Sequence, residues 1–228
     1  MSKIVILTGA GISAESGLGT FRAEDGLWAE HRVEDVATPE GFMRDPELVM
    51  WFYNERRKQS YAAEPNAAHK ALAELQNSGQ HEVIIVTQNV DDLHERGGAE
   101  VIHMHGGLTT ALCSACGHRW GAPVVMTTGD LCPTCDQPST RPDIVWFGEM
   151  PYQMDVIERH LQTCDVFVSI GTSGNVYPAA GFVQLAKASG ATTLELNLEP
   201  SQGASYFDEA VNGPASEVVP KWARGLLG

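Results

Sequence analysis

Four cysteines are the most directive residues in the chain. Cys113 and Cys116 form one C-x₂-C pair, Cys132 and Cys135 a second, and 15 residues separate the pairs. Two such knuckles can close four thiolates around one zinc ion. No coordination position is then left for water, so the ion would be structural. A redox pair and a nucleic-acid-binding ribbon are the alternatives. Two copies at ribbon spacing oppose the first. The second is poorly served by residues 113–135, where one basic residue, Arg119, stands against one acidic residue, Asp130. The fifth cysteine, Cys164, opens the apolar run Val166–Ile170 and reads as an inert buried thiol.

The second chemical feature is Gly9–Arg22, GAGISAESGLGTFR, directly after the apolar run Ile4-Val5-Ile6-Leu7. Glycine at 9 and 11 permits a tight turn and lets backbone N–H groups approach a ligand. Through Ala14 the stretch is a G-x-G-x-x-A variant of the dinucleotide fingerprint, although a glycine-rich turn after a strand can be only a turn. The usual continuation is a second strand with an acidic residue about 20 positions on. Residues 23–63 contain no such strand. Phe21, Arg22 and Asp25-Gly26-Leu27-Trp28 instead put an aromatic, a cation and a turn beside the loop. A plain hydride-transfer enzyme has no need of them.

The third feature is histidine at the end of a strand. His103 and His105 are two apart on Val101–His105, so they face one side. Either could be an ordinary sheet residue. Histidine is nevertheless the side chain suited to proton transfer near neutrality, and His105 is nearer the strand end. The preceding strand, Glu82–Thr87, also ends in polar groups, Gln88-Asn89-Val90-Asp91-Asp92-Leu93-His94. Open α/β sheets bind ligands at such carboxyl ends.

The elements that position these groups alternate. Thr38-Pro39 and Asp45-Pro46 are helix starts, each an N-cap followed by proline. The second should run to about Tyr61, with Leu48, Val49, Phe52 and Tyr53 as its apolar face. Asn66 caps a helix over Ala67–Gln76. Strands are expected at Asp143–Phe147, Val166–Ile170, Thr193–Leu196 and Ser216–Val219, with helices over Asp155–Gln162 and Ala179–Ser189. This pattern predicts an α/β fold: a Rossmann-like doubly wound parallel sheet with a small domain made of a zinc ribbon and a helical insertion. The large domain would comprise 1–33, 76–110 and 141–228, the insertion 34–75 and the four-cysteine module 111–140.

Composition narrows the function. The 15 Lys and Arg against 29 Asp and Glu give a net charge of −14, which opposes direct nucleic-acid binding and suits a basic partner. No 18-residue apolar run and no signal-peptide core are present, so the expectation is a cytoplasmic chain that crosses no membrane.

The motifs GAGISAESG (9–17), FR (21–22), TQNVDDLH (87–94), HG (105–106), the four cysteines, WFGE (146–149), GTS (171–173) and NLE (197–199) together resemble a sirtuin over essentially the full length. Sirtuins are NAD-dependent protein-lysine deacylases. Ala14 and Tyr53-Asn54-Glu55-Arg56 are similar to the bacterial class III members, whereas Gly19 departs from the proline of many sirtuins. The resemblance implies that NAD+ is consumed as a co-substrate. The acyl carbonyl oxygen attacks C1′ of the nicotinamide ribose, and His105 acts as general base on a ribose hydroxyl that attacks the resulting imidate. Free lysine and O-acyl-ADP-ribose result.

The same resemblance implies the site residues. Gly9, Ala10, Gly11, Ile12, Ser13 and Glu15 belong to the phosphate loop, with Arg22 neutralising charge, Phe21 covering the nicotinamide site and Trp28 also on the cofactor. Gln88, Asn89, Val90 and Asp91 would hold the nicotinamide and its ribose, Asn89 counting with His105 as catalytic. Gly171, Thr172, Ser173, Asn197, Leu198, Glu199 and Ala215 would surround the adenosine, Glu199 replacing the missing acidic ribose ligand. An acyl-lysine peptide would add as a strand between Phe147-Gly148-Glu149 and Asn175-Val176-Tyr177, touching Val145 as well. Tyr53 and Arg56 share a helix face. On residues alone they are part of a solvated ridge with Glu55, Arg57 and Lys58. With the resemblance they become a clamp for the carboxylate of a succinyl or malonyl group, Ala14 leaving room for the longer chain. Transfer of ADP-ribose to protein, or a non-catalytic NAD- and zinc-binding scaffold, are the alternatives.

Overall fold

The computed structural model describes residues 1–20 and 30–228, so Phe21, Arg22 and Trp28 lie outside the described residues. The first strand, β1 (Lys3–Thr8), leads into a single helical turn, α1 (Gly11–Ala14). Three helices follow: α2 (Val33–Val36), α3 (Pro39–Arg44) and the long α4 (Pro46–Ala62). Thr38 and Asp45 cap the last two as their types predict, accepting the N–H of Gly41 and Leu48. Then come α5 (Ala67–Asn77), β2 (Glu82–Thr87), α6 (Leu93–Arg96), β3 (Val101–His103), β4 (Gly106–Cys113), β5 (Arg119–Gly121) and β6 (Thr140–Ile144). The chain closes with α7 (Met154–Thr163), β7 (Val166–Ile170), α8 (Phe182–Ala188), β8 (Thr192–Asn197), β9 (Glu209–Asn212) and α9 (Ala215–Leu227).

Six strands form one parallel sheet in the order β3-β2-β1-β7-β8-β9. Both faces are covered, which is why its central strands are continuous apolar runs. Ile4 and Ile6 of β1 pack with α5 and α9, while Val5 and Leu7 point to the other side, against α7 and α8. The order reverses at β1, where β2 lies on one side and β7 on the other. In doubly wound sheets that reversal opens a ligand crevice at the carboxyl ends.

A second sheet is small and antiparallel, β5-β4-β6. Val49, Phe52 and Tyr53 of α4 pack on it with Leu108, Ile144 and Trp146. Met50 meets Ala111 and Met126. The link is also polar. Arg57 is fully buried and donates to the Leu108 carbonyl at 2.6 Å, to Asn54 Oδ1 at 2.8 Å and to Met126 Sδ at 3.2 Å. Asn54 bonds the Met126 backbone through both its amide groups.

Four expectations need correction. The segment Ser216–Val219 is not a strand but the first turns of α9. Val218, Val219, Trp222, Ala223 and Leu226 recur at helical spacing and press on the core shared with α5. The outer strand is instead β9, exposed along its whole length. The segment expected as strand Asp143–Phe147 starts three residues earlier, at Thr140, ends at Ile144 and belongs to the small sheet. Beyond it the N–H groups of Val145, Trp146 and Phe147 go to His105, Glu149 and Ala37. The strand expected to reach His105 stops at His103. Finally α5, placed in the 34–75 insertion, packs with the parallel sheet through Ala68, Leu72, Ala73 and Leu75.

Candidate active site

The carboxyl ends of β1 and β7 meet glycine to glycine. A Cβ on Gly9 would stand 2.8 Å from the Gly171 carbonyl oxygen, and one on Gly11 2.7 Å from the Gly171 Cα. Gly171 has φ +63°, and its own Cβ would lie 2.5 Å from the Ile12 nitrogen. These glycines are therefore required by the contact of two turns. Their N–H groups are used in it too: Gly9 donates to Ile170 and Gly11 to Gly171.

Around that contact opens a cavity of about 640 Å³. It is lined by Gly9, Ala10, Gly11, Ser13 and Ala14, by Gln88, Asn89, Val90, Asp91 and His105, and by Gly171, Thr172, Ser173, Asn197, Leu198, Glu199 and Ala215. Tyr53, Arg56, Val145, Phe147, Gly148, Glu149 and Val176 line the same cavity. Two expected residues do not. Ile12 is fully buried in the core under the turn. The Glu15 carboxylate turns to α9, accepting from the Ser216 N–H at 2.8 Å and its hydroxyl at 2.7 Å. An acidic group is stabilised there by the unpaired N–H groups of a helix start.

The two histidines part company. His105 Nδ1 lies 3.1 Å from the Gln88 carbonyl, which can only accept, so Nδ1 carries the hydrogen and Nε2 keeps its lone pair. Burial lowers the His105 pKa below the ordinary value, against the smaller opposing effect of that hydrogen bond. The ring is therefore neutral at pH 7 with a basic nitrogen. His103 also loses by burial, but the Glu95 carboxylate at 2.6 Å and the Asn89 carbonyl at 2.9 Å overcome it and raise its pKa. Both its nitrogens face acceptors, an arrangement that favours the protonated ring and leaves no lone pair turned to the cavity.

Beneath the cavity runs a buried polar chain. The Asn66 N–H donates to His69 Nδ1, so Nε2 holds the hydrogen and donates to Ser13 Oγ at 3.3 Å. Ser13 also accepts from Asn89 Nδ2 at 3.1 Å, and its hydroxyl supports Asp91. Burial raises the Asp91 pKa and lowers that of Arg56, whose charge Tyr53 and Asp91 partly support. Asn89 is fixed from its other side by its N–H to Thr87 Oγ1, and Thr8 links Thr87 to His94. Of these residues the sequence marked Ser13, Asn89, Asp91, Tyr53 and Arg56 as site residues and Asn66 as a helix cap, but gave no role to His69. His69 gave a faint signal, three residues after the cap Asn66, where its side chain completes a capping box.

Remote from the cavity, the four cysteine sulfurs lie within 4.8 Å of one another. Cys113–Cys135 and Cys116–Cys132 are 3.6 and 3.7 Å apart. A tetrahedral zinc–thiolate centre needs sulfurs about 3.8 Å apart, given Zn–S bonds of about 2.3 Å. A disulfide needs about 2.05 Å. The residues fit zinc.

A turn-to-turn glycine contact at a sheet reversal, a neutral histidine beside it and a distant four-thiolate centre form a combination that comparison with known proteins can place. The Sir2 family profile matches residues 9–178. The chain belongs to the Sir2 family. A Shigella flexneri relative, "NAD-dependent protein deacylase", is 58% identical over 99% of this chain and 84% of its own length. Among solved Sir2 structures, one of a homologue in complex with NAD superposes with a TM-score of 0.90 at 39% identity, covering 99% of this chain and 90% of that one. Another, Sir2Af2 bound to a myristoylated histone peptide, gives 0.76 at 32% identity, covering 98% and 90%. The Sir2 assignment agrees with the parallel sheet, the small second sheet and the cysteine cluster. No helix among the described residues is long and apolar enough to cross a membrane.

Proposed function

We propose that the chain is an NAD-dependent protein-lysine deacylase that removes acetyl groups and, through Tyr53 and Arg56, succinyl or malonyl groups. The observation that carries this reading is one cavity holding three things: the glycine contact of the sheet reversal, the basic Nε2 of His105, and the Tyr53–Arg56 pair. NAD+ supplies an electrophilic ribose carbon and a leaving nicotinamide. The residues that would hold it are Ala10 and Ser13 near the phosphates, Thr172-Ser173, Asn197, Glu199 and Ala215 at the adenosine, and Gln88, Asn89 and Asp91 at the nicotinamide end. Ser13 and Thr87 fix Asn89, which keeps its carboxamide aligned without help from solvent.

His105 takes the proton of a ribose hydroxyl on Nε2. Its lowered pKa keeps the ring unprotonated at neutral pH, and the Gln88 carbonyl stabilises the charge that appears on Nδ1–H as the proton arrives. Arg56 offers a guanidinium fork to an acyl-chain carboxylate, and Tyr53 a hydroxyl. The substrate is an acyl-lysine segment of another protein, paired as an added strand between Phe147–Glu149 and Asn175–Tyr177, a mode that tolerates many sequences. The zinc ion would be structural, since all four of its positions are cysteine. The chain divides on this reading into a parallel-sheet domain that includes α5 and a small domain of 34–62 and the cysteine module, and its reduced thiols suit the cytoplasm.

One assay tests the whole reading: NAD+ with acetyl- or succinyl-lysine peptide, following nicotinamide and peptide mass. Nicotinamide release that requires the acyl peptide, with loss of the acyl mass, is expected. Gain of ADP-ribose mass on protein would show a transferase, and no turnover a scaffold.

A further inference from the structure

Tyr53 is 1% exposed, and its hydroxyl oxygen accepts a hydrogen bond from the Trp146 indole at 3.1 Å. An indole N–H can only donate, so this bond occupies a lone pair on the phenol and leaves the phenolic hydrogen to be given elsewhere. The neighbouring cation, Arg56, has no acceptor to receive it. Among the described residues no acceptor takes it. We propose that Trp146 is a positioning residue for acyl selectivity, holding the Tyr53 hydroxyl so that its hydrogen is presented to a carboxylate carried by the substrate. This rests on the acidic-acyl reading above and deepens it.

Trp146 is built to hold that direction. Its backbone N–H donates to Glu149 Oε2 at 2.8 Å, and its ring lies 3.5 Å beneath the Arg141 guanidinium. Arg141 is fixed by both oxygens of Glu149, at 2.7 and 2.9 Å, and by the Ile144 carbonyl at 2.7 Å. A phenylalanine could offer a ring to Arg141 and to Phe42, 5.1 Å away. What it could not offer is the indole N–H, and that group is spent on Tyr53. Burial also raises the Tyr53 pKa to about 12, so the phenol remains a donor throughout the working range.

The test uses the intact zinc-loaded protein and the ratio of kcat/KM on succinyl-lysine to that on acetyl-lysine peptide. Trp146→Phe is expected to lower this ratio roughly three- to tenfold, the worth of one hydrogen bond, through KM for the succinyl peptide and with no change in KM for NAD+. Tyr53→Phe should lower it at least as much, and the double variant no further than Tyr53→Phe. A lowered ratio in Tyr53→Phe with an unchanged one in Trp146→Phe, or additive losses, overturns the inference while sparing the acidic-acyl reading. An unchanged ratio in both Tyr53→Phe and Arg56→Met overturns that reading and this inference with it. Should Trp146→Phe not fold, the wild-type protein still decides. The Trp146 indole N–H resonance should shift on adding succinyl-lysine peptide more than on adding acetyl-lysine peptide, and equal shifts overturn the inference.

Discussion

Replacing His69 by glutamine tests the polar chain under the cavity through its dependence on pH. His69 is fully buried, and burial lowers its pKa to about 4. Protonation would also put an N–H on Nδ1, where the Asn66 N–H already points. In the unfolded chain the same ring titrates near 6.5. The folded pKa is the lower one, so the stability this neutral ring supplies is complete above about pH 6.5. It is lost as the pH falls, the loss ending near the folded value of about 4. One proton of difference is worth about 1.4 kcal/mol per pH unit, so at pH 5 the loss is about 2 kcal/mol. That is a large share of a typical total of about 5–15 kcal/mol. Glutamine can accept from Asn66 and donate to Ser13 without titrating. Urea unfolding followed by tryptophan fluorescence at pH 7.5 and pH 5 measures the difference. Stability should fall between the two by about 2 kcal/mol less in His69→Gln than in the wild type. His94, held down to about 3 by burial, His69 and His103, is present in both proteins and largely cancels. An identical pH dependence in wild type and variant would refute the neutral-ring account.

Four further outcomes follow from the site and the cysteine module. His105→Ala should lower kcat about 10²–10⁴-fold with little change in NAD+ affinity. The wild-type acid limb should have its inflection below the ordinary histidine value, because burial lowers the His105 pKa; a limb above that value would show that burial does not dominate there. Arg56→Met should cost about 30- to 4,000-fold in kcat/KM on succinyl-lysine, from the about 2–5 kcal/mol of a desolvated charge pair. Its cost on acetyl-lysine should be far smaller, and equal losses would remove the clamp. Chelating zinc should open β4, β5 and β6 before the parallel sheet, since metal binding supplies the folding free energy of so small a module. Amide exchange resolved along the chain would show this, and uniform protection in the metal-free protein would count against it.

The parts of this chain that speak for themselves are those whose chemistry is local. Ile4–Leu7 and Val83–Val86 are continuous apolar runs because a parallel strand is buried on both faces, and no partner need be known to read that. Thr38-Pro39 and Asp45-Pro46 announce helix starts because a cap satisfies N–H groups two or three residues away. The cysteine spacing names a metal by itself because tetrahedral thiolate coordination admits few spacings.

Tertiary structure decided whatever depends on a distant partner. Ser216–Val219 looks extended until α5 supplies a surface that a helix with Val219, Ala223 and Leu226 can cover. Arg57 reads as one charge in a polar ridge, and only the approach of Leu108 and Met126 turns it into a buried tie between helix and cysteine module. His103 and His105 are alike in sequence. Glu95 favours the protonated form of one, and the Gln88 carbonyl leaves the other a free Nε2. The types of residue that could do chemistry were set along the chain, but which nitrogen holds a proton, and which hydroxyl points its hydrogen at a substrate, are set by hydrogen bonds that close only when the sheets pack.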